Sequence, residues 1–285
     1  TMALVLTRSL SRLSKGAREI AQGNFSYRSG IRSGDEIGRL SEDFDRMAGQ
    51  VEQNILDLKE SVERQERFVS SFTHELKTPM TAVLGYADLL RSQDLTEEER
   101  RDAANYIFSE GKRLERLSLK LLDIYVADQG EVVLSEQNPG RIVRDMAEHL
   151  EPGYREQGIV LTCRCGQGRC LLEPDLFRSL LVNLLDNARK ALSDGGEVTV
   201  SVETTAEGCT LCVEDNGPGI PAESLERLTE AFYRVDKSRS RRQGGAGLGL
   251  TLCAKIAELH KGSLHFESQE GRGTKVIAEL KGGRL

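Results

Sequence analysis

The stretch FVSSFTHELKTPMTAV, residues 68–83, places a histidine among polar residues in what otherwise has the pattern of one long helix. The neutral imidazole of His74 offers a nucleophilic lone pair near neutral pH. Glu75 is adjacent to it, and Thr78 lies one helical turn later on the same face. Pro79 removes a helix hydrogen bond and favours a bend at this point. The pattern indicates a nucleophilic histidine beside a hinge, with an ordinary solvent-facing histidine as the alternative.

A second set of polar residues lies in LLVNLLDNARKALSD, which has the pattern of an amphipathic helix. Asn183, Asn187 and Lys190 are spaced four and three residues apart, so they share one helical face. Amide oxygens can ligate Mg²⁺ or its waters, and a lysine can reach a phosphate. Taken alone, two asparagines on a helix are more often merely solvated or capping residues.

Two glycine-containing segments follow that helix. In VEDNGPGI, Asp215 ends a predicted strand and can accept a hydrogen bond from an exocyclic amine such as that of adenine. Gly217 and Gly219 allow the backbone to approach a ligand closely, although a simple turn would show the same residues. In GGAGLGL, residues 244–250, glycines precede and open a helix whose free N–H groups suit a triphosphate.

The segment between these two glycine motifs is long and polar, with four arginines in residues 234–242. It predicts a mobile lid over phosphates, with a merely solvated loop as the alternative.

The bulk composition limits the classes of protein that could carry these motifs. The chain has 285 residues, enough for about two domains, and 29% of them are charged. Its formal net charge of −6 argues against a surface that binds nucleic acid. A run of 18 apolar residues, as a complete membrane span would need, does not occur. The segment TMALVLTRSLSRL has the pattern either of the last turns of such a span with a basic flank or of an amphipathic start.

Six cysteines raise the question of a metal site or disulfides. They include a CxC at 163–165 and a CxxC at 209–212, both within strand-like runs where a small apolar side chain suits a core. Further ligands at matching spacing are missing, so structural thiols are favoured over a zinc site.

Two helical modules precede the α/β region. Apolar residues at a 3-4-3 spacing from Leu10 to Ile20 mark a coiled-coil seam that stops at Gly23. After a connector, Asp35 and Glu36 open a second helix, whose seam continues through a stutter near Ile55 to His74 and beyond. A plain coiled coil would show the same heptads.

A loop at 92–95 and a capping box from Thr96 to Glu99 then lead into another helix, which we expect to end near Tyr125. Two such helices form an antiparallel hairpin that cannot bury its apolar stripe alone, so two copies are expected to pair into a four-helix bundle. From Asn138 onward, helices alternate with six strand-like runs, which predicts a mixed α/β domain.

The order of these motifs resembles that of bacterial sensor histidine kinases. The helix–connector–helix with GDEIGRL resembles a HAMP signal-relay domain, although Ser9 stands where that family usually has a proline. The asparagine helix, DxGxG, basic segment and GxGLGL together resemble the Bergerat ATP-binding fold. FVSSFTHELKTPMTAV resembles the H-box of the kinases.

The resemblance implies the role of each matched residue. His74 accepts phosphate from ATP, Glu75 activates it through the other ring nitrogen, and Thr78 positions the water that dephosphorylates a response regulator. Asn183, Asn187 and Lys190 bind Mg²⁺ and the phosphates, with the two asparagines as metal ligands, and Asp215 binds adenine. The remaining residues matched to the nucleotide pocket are Gly217, Gly219, Phe232, Tyr233, Arg234, Arg239, Gly245, Gly247, Leu248, Gly249 and Thr274.

The predicted fold is therefore multidomain. Residues 1–56 form a helical coiled-coil HAMP domain with the end of a transmembrane helix, residues 57–128 form the dimerisation and histidine-phosphotransfer hairpin, and residues 129–285 form the catalytic α/β sandwich of the Bergerat ATP-binding type. The resemblance also implies a homodimer with a response-regulator receiver domain as partner and no nucleic acid. It further implies attachment to the bacterial inner membrane through a preceding segment, with this portion cytoplasmic.

Two other functions fit part of the pattern. A stand-alone ATPase of the same fold would carry a general-base Glu one turn before Asn187, but that place is Asn183. A relay scaffold would bind nucleotide and partners without transferring phosphate, and the intact H-box argues against it.

Overall fold

The computed structural model describes residues 2–129, 132–192, 195–205, 207–235 and 247–282. The chain divides into two compact units, Thr1–Ser70 and Ser71–Leu285. Among the described residues, none of the helices combines the length and the apolar character that crossing a membrane requires.

The first unit contains helix α1, Met2–Ala21, and the first half of helix α2, Glu36–Ser92. Asp35 caps α2 as predicted, because its Oδ1 accepts hydrogen bonds from the amides of Ile37 and Gly38, each at 3.1 Å. The connector between the helices is tied to α2: the amide of Ser29 donates to Asp45 Oδ1 at 2.6 Å. The predicted helix–connector–helix pattern is thus present in one chain.

The coiled-coil seam of α1 and α2 is only partly buried within one chain. Leu13 and Ala48 are buried, whereas Leu40 and Met47 are 49% and 53% exposed. Gly16 is buried instead of the predicted Ala17, because the rings of Tyr27 and Phe44 approach α1 there. The exposed seam residues leave an apolar stripe on the surface of the chain.

The second unit begins with the remainder of α2, which continues through Pro79, and with helix α3, Glu97–Gln129. The predicted capping box is confirmed, since the amide of Thr96 donates to Glu99 Oε2 at 2.9 Å and the amide of Glu99 donates to Thr96 Oγ1 at 3.3 Å. Helix α3 extends four residues beyond the predicted end at Tyr125, because no helix-breaking residue precedes Gly130.

The α/β part of the second unit has the predicted strands and one more. Six strands match the six strand-like runs. They are β2 (Ile159–Cys165), β3 (Cys170–Leu172), β4 (Gly196–Thr204), β5 (Cys209–Asp215), β6 (Ser263–Gln269) and β7 (Gly273–Leu280). The additional strand is β1, Ser135–Gln137, which pairs antiparallel with β3. Its three polar residues carry no apolar alternation, so sequence patterning missed it.

Five of these strands form one sheet in the order β2-β4-β5-β7-β6. Strands β2 and β4 run parallel, and the other neighbouring pairs are antiparallel. The helices are α4, Pro139–Glu156, α5, Pro174–Ala191, the short α6, Ala222–Leu225, and α7, Gly249–Leu259.

Helices α4, α5 and α7 contribute to the same hydrophobic core as the inward-facing residues of the sheet. Leu184 of α5, Val200 of β4, Leu211 of β5 and Ile256 of α7 are all 2% exposed or less. Residues that alternate with the core positions are less buried, and Glu214 on β5 is exposed. One face of the sheet therefore carries the helices, and this two-layer α/β sandwich confirms the predicted fold of the region.

The six cysteines are free thiols. Cys163 and Cys165 lie with their sulfur atoms 3.1 Å apart on β2, and burial raises the pKa of Cys163 to about 12. Within the described ranges, no three His, Cys, Asp or Glu side chains come together as a metal site would require.

His260 joins the end of α7 to the start of α5. It is fully buried; its Nδ1 lies 2.8 Å from the carbonyl oxygen of Ile256, and its Nε2 accepts a hydrogen bond of 3.1 Å from the amide of Glu173. Because Nε2 acts as an acceptor, the ring is neutral. Burial lowers the pKa of His260, against the opposing effects of the Ile256 carbonyl and the Glu173 carboxylate.

The lowered pKa of His260 predicts a loss of stability at acidic pH. The unfolded chain takes up a proton at this histidine near the ordinary pKa of about 6.5, whereas the folded chain does so only at lower pH. The free energy of unfolding is therefore expected to fall as the pH drops below about 6.5. Urea unfolding at about pH 7.5 and at about pH 5.5 measures the change.

The matched control uses the exposed His265 on β6. His260→Gln should weaken the pH dependence, because glutamine does not titrate, whereas His265→Gln should leave it as in the unmodified chain. Equal pH dependence in all three proteins would contradict the assignment.

Candidate functional site

The asparagine face of α5 is positioned by a well-capped helix. Glu173 is the N-cap and its carboxylate accepts a 2.5 Å hydrogen bond from the amide of Leu176, while Pro174 occupies the first turn. The opposite face is buried through Phe177, Leu181 and Leu185. This burial fixes the rotation of α5, so Asn183 and Asn187 are left at the edge of the core with intermediate exposure.

The two asparagines face the first turn of α7. A methyl group built at Gly249 would lie 3.1 Å from Asn183 Oδ1 and 3.7 Å from Asn187 Nδ2. The space between the helix start and the asparagines exists because Gly249 has no side chain. Free N–H groups at a helix start and amide oxygens beside them form a cradle suited to a phosphate–metal group.

Lys190 lies on the same helix but is paired with an acidic residue. Its Nζ is 2.5 Å from Asp186 Oδ2, and Arg189 Nη2 is 2.8 Å from Asp186 Oδ1. Burial acts to raise the pKa of Asp186, but the hydrogen bonds from Lys190 and Arg189 outweigh it and bring the pKa below its ordinary value. Lys190 would therefore meet a phosphate with its ammonium group already in contact with Asp186.

Asp215 stands at the end of the central strand β5. Its side chain is 8% exposed, and its Oδ1 accepts a 2.9 Å hydrogen bond from the amide of Gly217. Burial raises the pKa of Asp215, and the amides of Gly217 and Thr274 oppose that shift. Thr274 is its register partner on β7, so strand pairing brings these two predicted site residues together.

Ser268 on β6 links the loop after Asp215 to the β6–β7 turn. Its hydroxyl donates to the carbonyl oxygen of Gly273 at 2.8 Å, lies 3.0 Å from Thr274 Oγ1 and accepts from the amide of Ile220 at 2.8 Å. Motif matching missed Ser268, although the alternation of SLHFESQ places it on the inner face of β6.

Gly219 occupies a position that no other residue type fits well. Its φ is +71°, and a methyl group there would lie 2.1 Å from the carbonyl oxygen of Gln269. The amide of Gly271 also donates to the carbonyl oxygen of Pro218 at 2.7 Å. The DxGxG loop is therefore held tightly against the β6–β7 turn.

A cavity of about 340 Å³ opens beside Asp215, Ser268 and Thr274. Its other polar lining comes from Glu214, Glu267, Gln269, Arg272 and Lys275. Neither asparagine of α5 lines it. Glu214 and Glu267 alternate with the inward-facing residues of their strands, so the cavity also reaches the outer face of the sheet and does not include the cradle at Gly249.

Phe232 and Gly247 bring together the two ends of the predicted lid. The amide of Phe232 donates to the carbonyl oxygen of Gly247 at 2.9 Å. Both residues have positive φ, +65° and +69°, an unusual conformation for phenylalanine. Leu248, next to Gly247, is 1% exposed and anchors the start of α7.

Tyr233 is held by its hydroxyl and its ring face. The hydroxyl donates to Ser224 Oγ at 3.0 Å, and the guanidinium of Arg227 lies 4.4 Å from the ring centroid. Arg234 follows it with intermediate exposure. The predicted phosphate contact Arg239 and the predicted Gly245 lie outside the described residues.

On α2, the predicted site residue His74 is exposed, whereas the neighbouring Glu75 contacts another helix. The His74 side chain is exposed, and within the described part of the chain it forms no hydrogen bond. Thr78 Oγ1 donates to the carbonyl oxygen of His74 at 3.3 Å. Glu75 turns towards α3, where its Oε2 lies 3.4 Å from Arg113 Nη2. Arg113 carries no motif, and sequence reasoning did not single it out.

One aromatic contact joins the histidine helix to the nucleotide region. The ring centroids of Phe72 and Phe232 lie 6.4 Å apart. Phe72 precedes His74 by two residues, and Phe232 lies at the predicted lid. Helix α3 also contacts α7. The structure therefore brings the elements of both sites into contact within the second unit.

Three family models match consecutive parts of the chain. Residues 173–284 match the histidine kinase-, DNA gyrase B- and HSP90-like ATPase model, residues 64–130 match the His Kinase A (phospho-acceptor) domain, and residues 1–53 match the HAMP domain.

Known proteins with the same domains are similar along most of the chain. Sensor histidine kinase YclK of Bacillus subtilis (strain 168) is 29% identical over 95% of this chain and 58% of that protein. The chain spans about half the length of the curated relatives that it matches. Full-length ShkA, crystallised in complex with AMPPNP, is 26% identical with a TM-score of 0.54, covering 76% of this chain and 46% of ShkA.

Histidine kinase ThkA, solved in complex with response regulator protein TrrA, shares the fold. It is 22% identical with a TM-score of 0.61, and the match covers 79% of this chain and 65% of ThkA.

The clash at Gly219 predicts a measurable loss of stability. Gly219→Ala would place a methyl group against Gln269, which is expected to cost about 1–3 kcal/mol beyond the strain of positive φ. Gly271→Ala is the matched control, because Gly271 has a similar φ of +77° with nothing within 4 Å of the added methyl group. Urea unfolding of both variants measures the difference, and equal unfolding midpoints would contradict it.

Proposed function

The chain belongs to the bacterial sensor histidine kinases of two-component systems, and we propose that it transfers the γ-phosphoryl group of ATP to His74. The phosphoryl group then passes to an aspartate of a response regulator. The observation that carries the proposal is the cradle formed by Asn183, Asn187 and the side-chain-free start of α7, together with an exposed histidine on α2.

An asparagine in place of a general base in this cradle supports transfer of the phosphoryl group to the protein rather than hydrolysis of ATP. A general base that activates water would stand one helical turn before Asn187, and Asn183 occupies that place. An amide side chain cannot accept the proton of an attacking water at neutral pH. The phosphoryl acceptor must therefore be another nucleophile, and His74 is the candidate that lies on an element in contact with the nucleotide region.

The transfer at His74 forms one bond and breaks one. A ring nitrogen of the neutral imidazole attacks the γ-phosphorus while the bond from that phosphorus to the β,γ-bridging oxygen breaks and ADP leaves. The proton on the other ring nitrogen passes to the Glu75 carboxylate, which stands next to it in the chain. Catalysis here consists mainly of positioning and charge stabilisation.

Residues on α5 and at the sheet edge fit the nucleotide. Asp215 is suited to accept a hydrogen bond from the exocyclic amine of adenine, with Gly217, Gly219 and Thr274 shaping its surroundings. Asn187 and Asn183 would hold Mg²⁺, which when bound neutralises part of the phosphate charge. The solved relative ShkA was crystallised with AMPPNP, which supports a nucleotide site of this type.

The exposed apolar stripe supports a homodimer. Within the second unit, Met80 and Leu84 on α2 are 50% and 65% exposed, and Phe108 on α3 is 68% exposed. Helices with such a stripe bury it by pairing, and a four-helix bundle of two hairpins does so. The HAMP match supports attachment to the inner membrane through a segment that precedes the domain.

Thr78 is proposed to take part in the dephosphorylation of the response regulator. Its hydroxyl lies one turn from His74 on an exposed face, where it can orient a water against the aspartyl phosphate of a docked partner. ThkA in complex with TrrA supports a response regulator as that partner.

Replacement of the nucleophile tests the kinase activity. His74→Gln is expected to abolish incorporation of labelled phosphate from γ-labelled ATP, because glutamine has no nucleophilic lone pair, while ATP binding is kept. Measurement of protein-bound label after incubation with Mg²⁺ and ATP checks this, with His149→Gln on α4 as the control. Undiminished labelling of the His74 variant would rule the proposal out.

A separate variant tests the role of Thr78. Thr78→Ala should keep autophosphorylation within about twofold but slow the dephosphorylation of a phosphorylated receiver domain about tenfold or more, as expected for loss of a water-positioning group. The decay of labelled receiver domain, with Thr81→Ala on an exposed position as the control, measures it. A Thr78 variant that dephosphorylates the receiver normally would refute this role.

A further inference from the structure

Glu75 contacts a residue of the other hairpin helix. Its carboxylate lies 3.4 Å from Arg113 on α3, and the two side chains are 26% and 23% exposed. Pro79, one turn after Glu75, is buried. Glu75 therefore lies on the side of α2 that faces α3, whereas His74 and Thr78 are exposed.

Arg113 also contacts a second carboxylate. Its Nη1 lies 3.6 Å from Glu110 Oε2, one turn earlier on α3, and the Glu110 side chain is 20% exposed. One guanidinium thus serves two half-buried carboxylates. Partial burial strengthens such pairs relative to those in open solvent, so the carboxylate of Glu75 is held in place by charge as well as by hydrogen bonding.

The contact between Glu75 and Arg113 competes with the proton transfer from His74 to Glu75 that is proposed above. A proton acceptor has to reach the ring nitrogen that carries the proton, within hydrogen-bond distance or through one water. The carboxylate that contacts Arg113 is turned towards α3, and its negative charge is compensated there. The oxygen Oε2 contacts Arg113, so Glu75 must rotate away from that contact before this oxygen can accept the ring proton of His74.

We propose that Arg113 is a positioning residue that competes with His74 for the Glu75 carboxylate and thereby limits the rate of autophosphorylation. The inference rests on the proposed transfer to His74. Rotation of Glu75 from Arg113 to His74 lets the ring proton pass to the carboxylate as the nitrogen–phosphorus bond forms and ADP leaves. Glu110 determines how strongly Arg113 holds Glu75, because it binds the other side of the same guanidinium.

The test compares initial rates of labelling from γ-labelled ATP in the full chain. Arg113→Gln removes the competing cation and is expected to raise the maximal rate about three- to tenfold, with the KM for ATP unchanged. Arg113→Lys keeps the charge and should label at a rate near that of the unmodified chain. Arg116→Gln, at an exposed position one turn further along α3, is the matched control and should change nothing.

A second pair of variants separates positioning from a structural effect. Glu110→Gln removes the second carboxylate that binds Arg113. Arg113 should then hold Glu75 more strongly, and the rate of labelling should fall about twofold or more. In a Glu75→Gln background, Arg113→Gln should have no effect, because the proposed action passes through the Glu75 carboxylate. A change that merely loosens the hairpin would alter the rate in both backgrounds.

The outcomes that would overturn the inference are distinct. An unchanged or lower rate in Arg113→Gln, a higher rate in Glu110→Gln, or an equal effect of Arg113→Gln with and without Glu75 would each contradict it while leaving the kinase activity in place. Absence of labelling in the unmodified chain would overturn the proposed function, and this inference with it.

Discussion

The packing of α5 against α7 on one face of the five-stranded sheet is the constraint on which the candidate nucleotide site depends. Leu180 of α5 is fully buried, and its carbonyl oxygen accepts a hydrogen bond from the thiol of Cys253 on α7 at 3.8 Å. Buried side chains of both helices pack in the same core there, and Gly249 leaves the first turn of α7 open towards Asn183 and Asn187. A larger side chain at Gly249 would fill the cradle without disturbing the core.

The same sheet places Asp215 at the end of its central strand, and hydrogen bonds connect the neighbouring loops to that end. Strand pairing brings Thr274 opposite Asp215, and Ser268 connects the loop that follows Asp215 to the turn before β7. The α/β part thus supplies two rigid halves of a site, one at the end of β5 and one between α5 and α7. The proposed phosphoryl acceptor, His74, comes from a different element, and the contact between Phe72 and Phe232 links that helix to the start of the predicted lid.

Much of this arrangement could be predicted from the sequence because strong local patterns determine it. Alternating apolar residues marked six strands, and the Thr96–Glu99 capping box marked the start of α3. The short polar strand β1 lacked such a pattern, and the choice of Gly16 over Ala17 as a buried residue depended on the rings of Tyr27 and Phe44, which pack from outside α1. Contacts made by other elements are not visible in local periodicity.

In the candidate site, the motif residues were also predictable from the sequence, whereas their contact partners were not. Asn183 and Asn187 lie on one helix and Asp215 ends a strand, as the sequence patterns predicted, while their roles in binding stay predictions. The partners of motif residues were not predictable, since the Asp186 contact of Lys190 and the Arg113 contact of Glu75 depend on side-chain packing. Pairing across the hairpin could have suggested Arg113, because Glu75 and Arg113 lie at similar distances from the loop that joins α2 and α3.

The chemical stability of the labelled protein tests the central claim most directly. The chain would be incubated with Mg²⁺ and γ-labelled ATP, and the label followed through acid and alkali treatment and peptide mapping. Transfer to His74 predicts label that is lost in acid, survives alkali and maps to the peptide containing His74, as a phosphoramidate requires. Steady release of free phosphate without label on the protein would contradict it and indicate an ATPase.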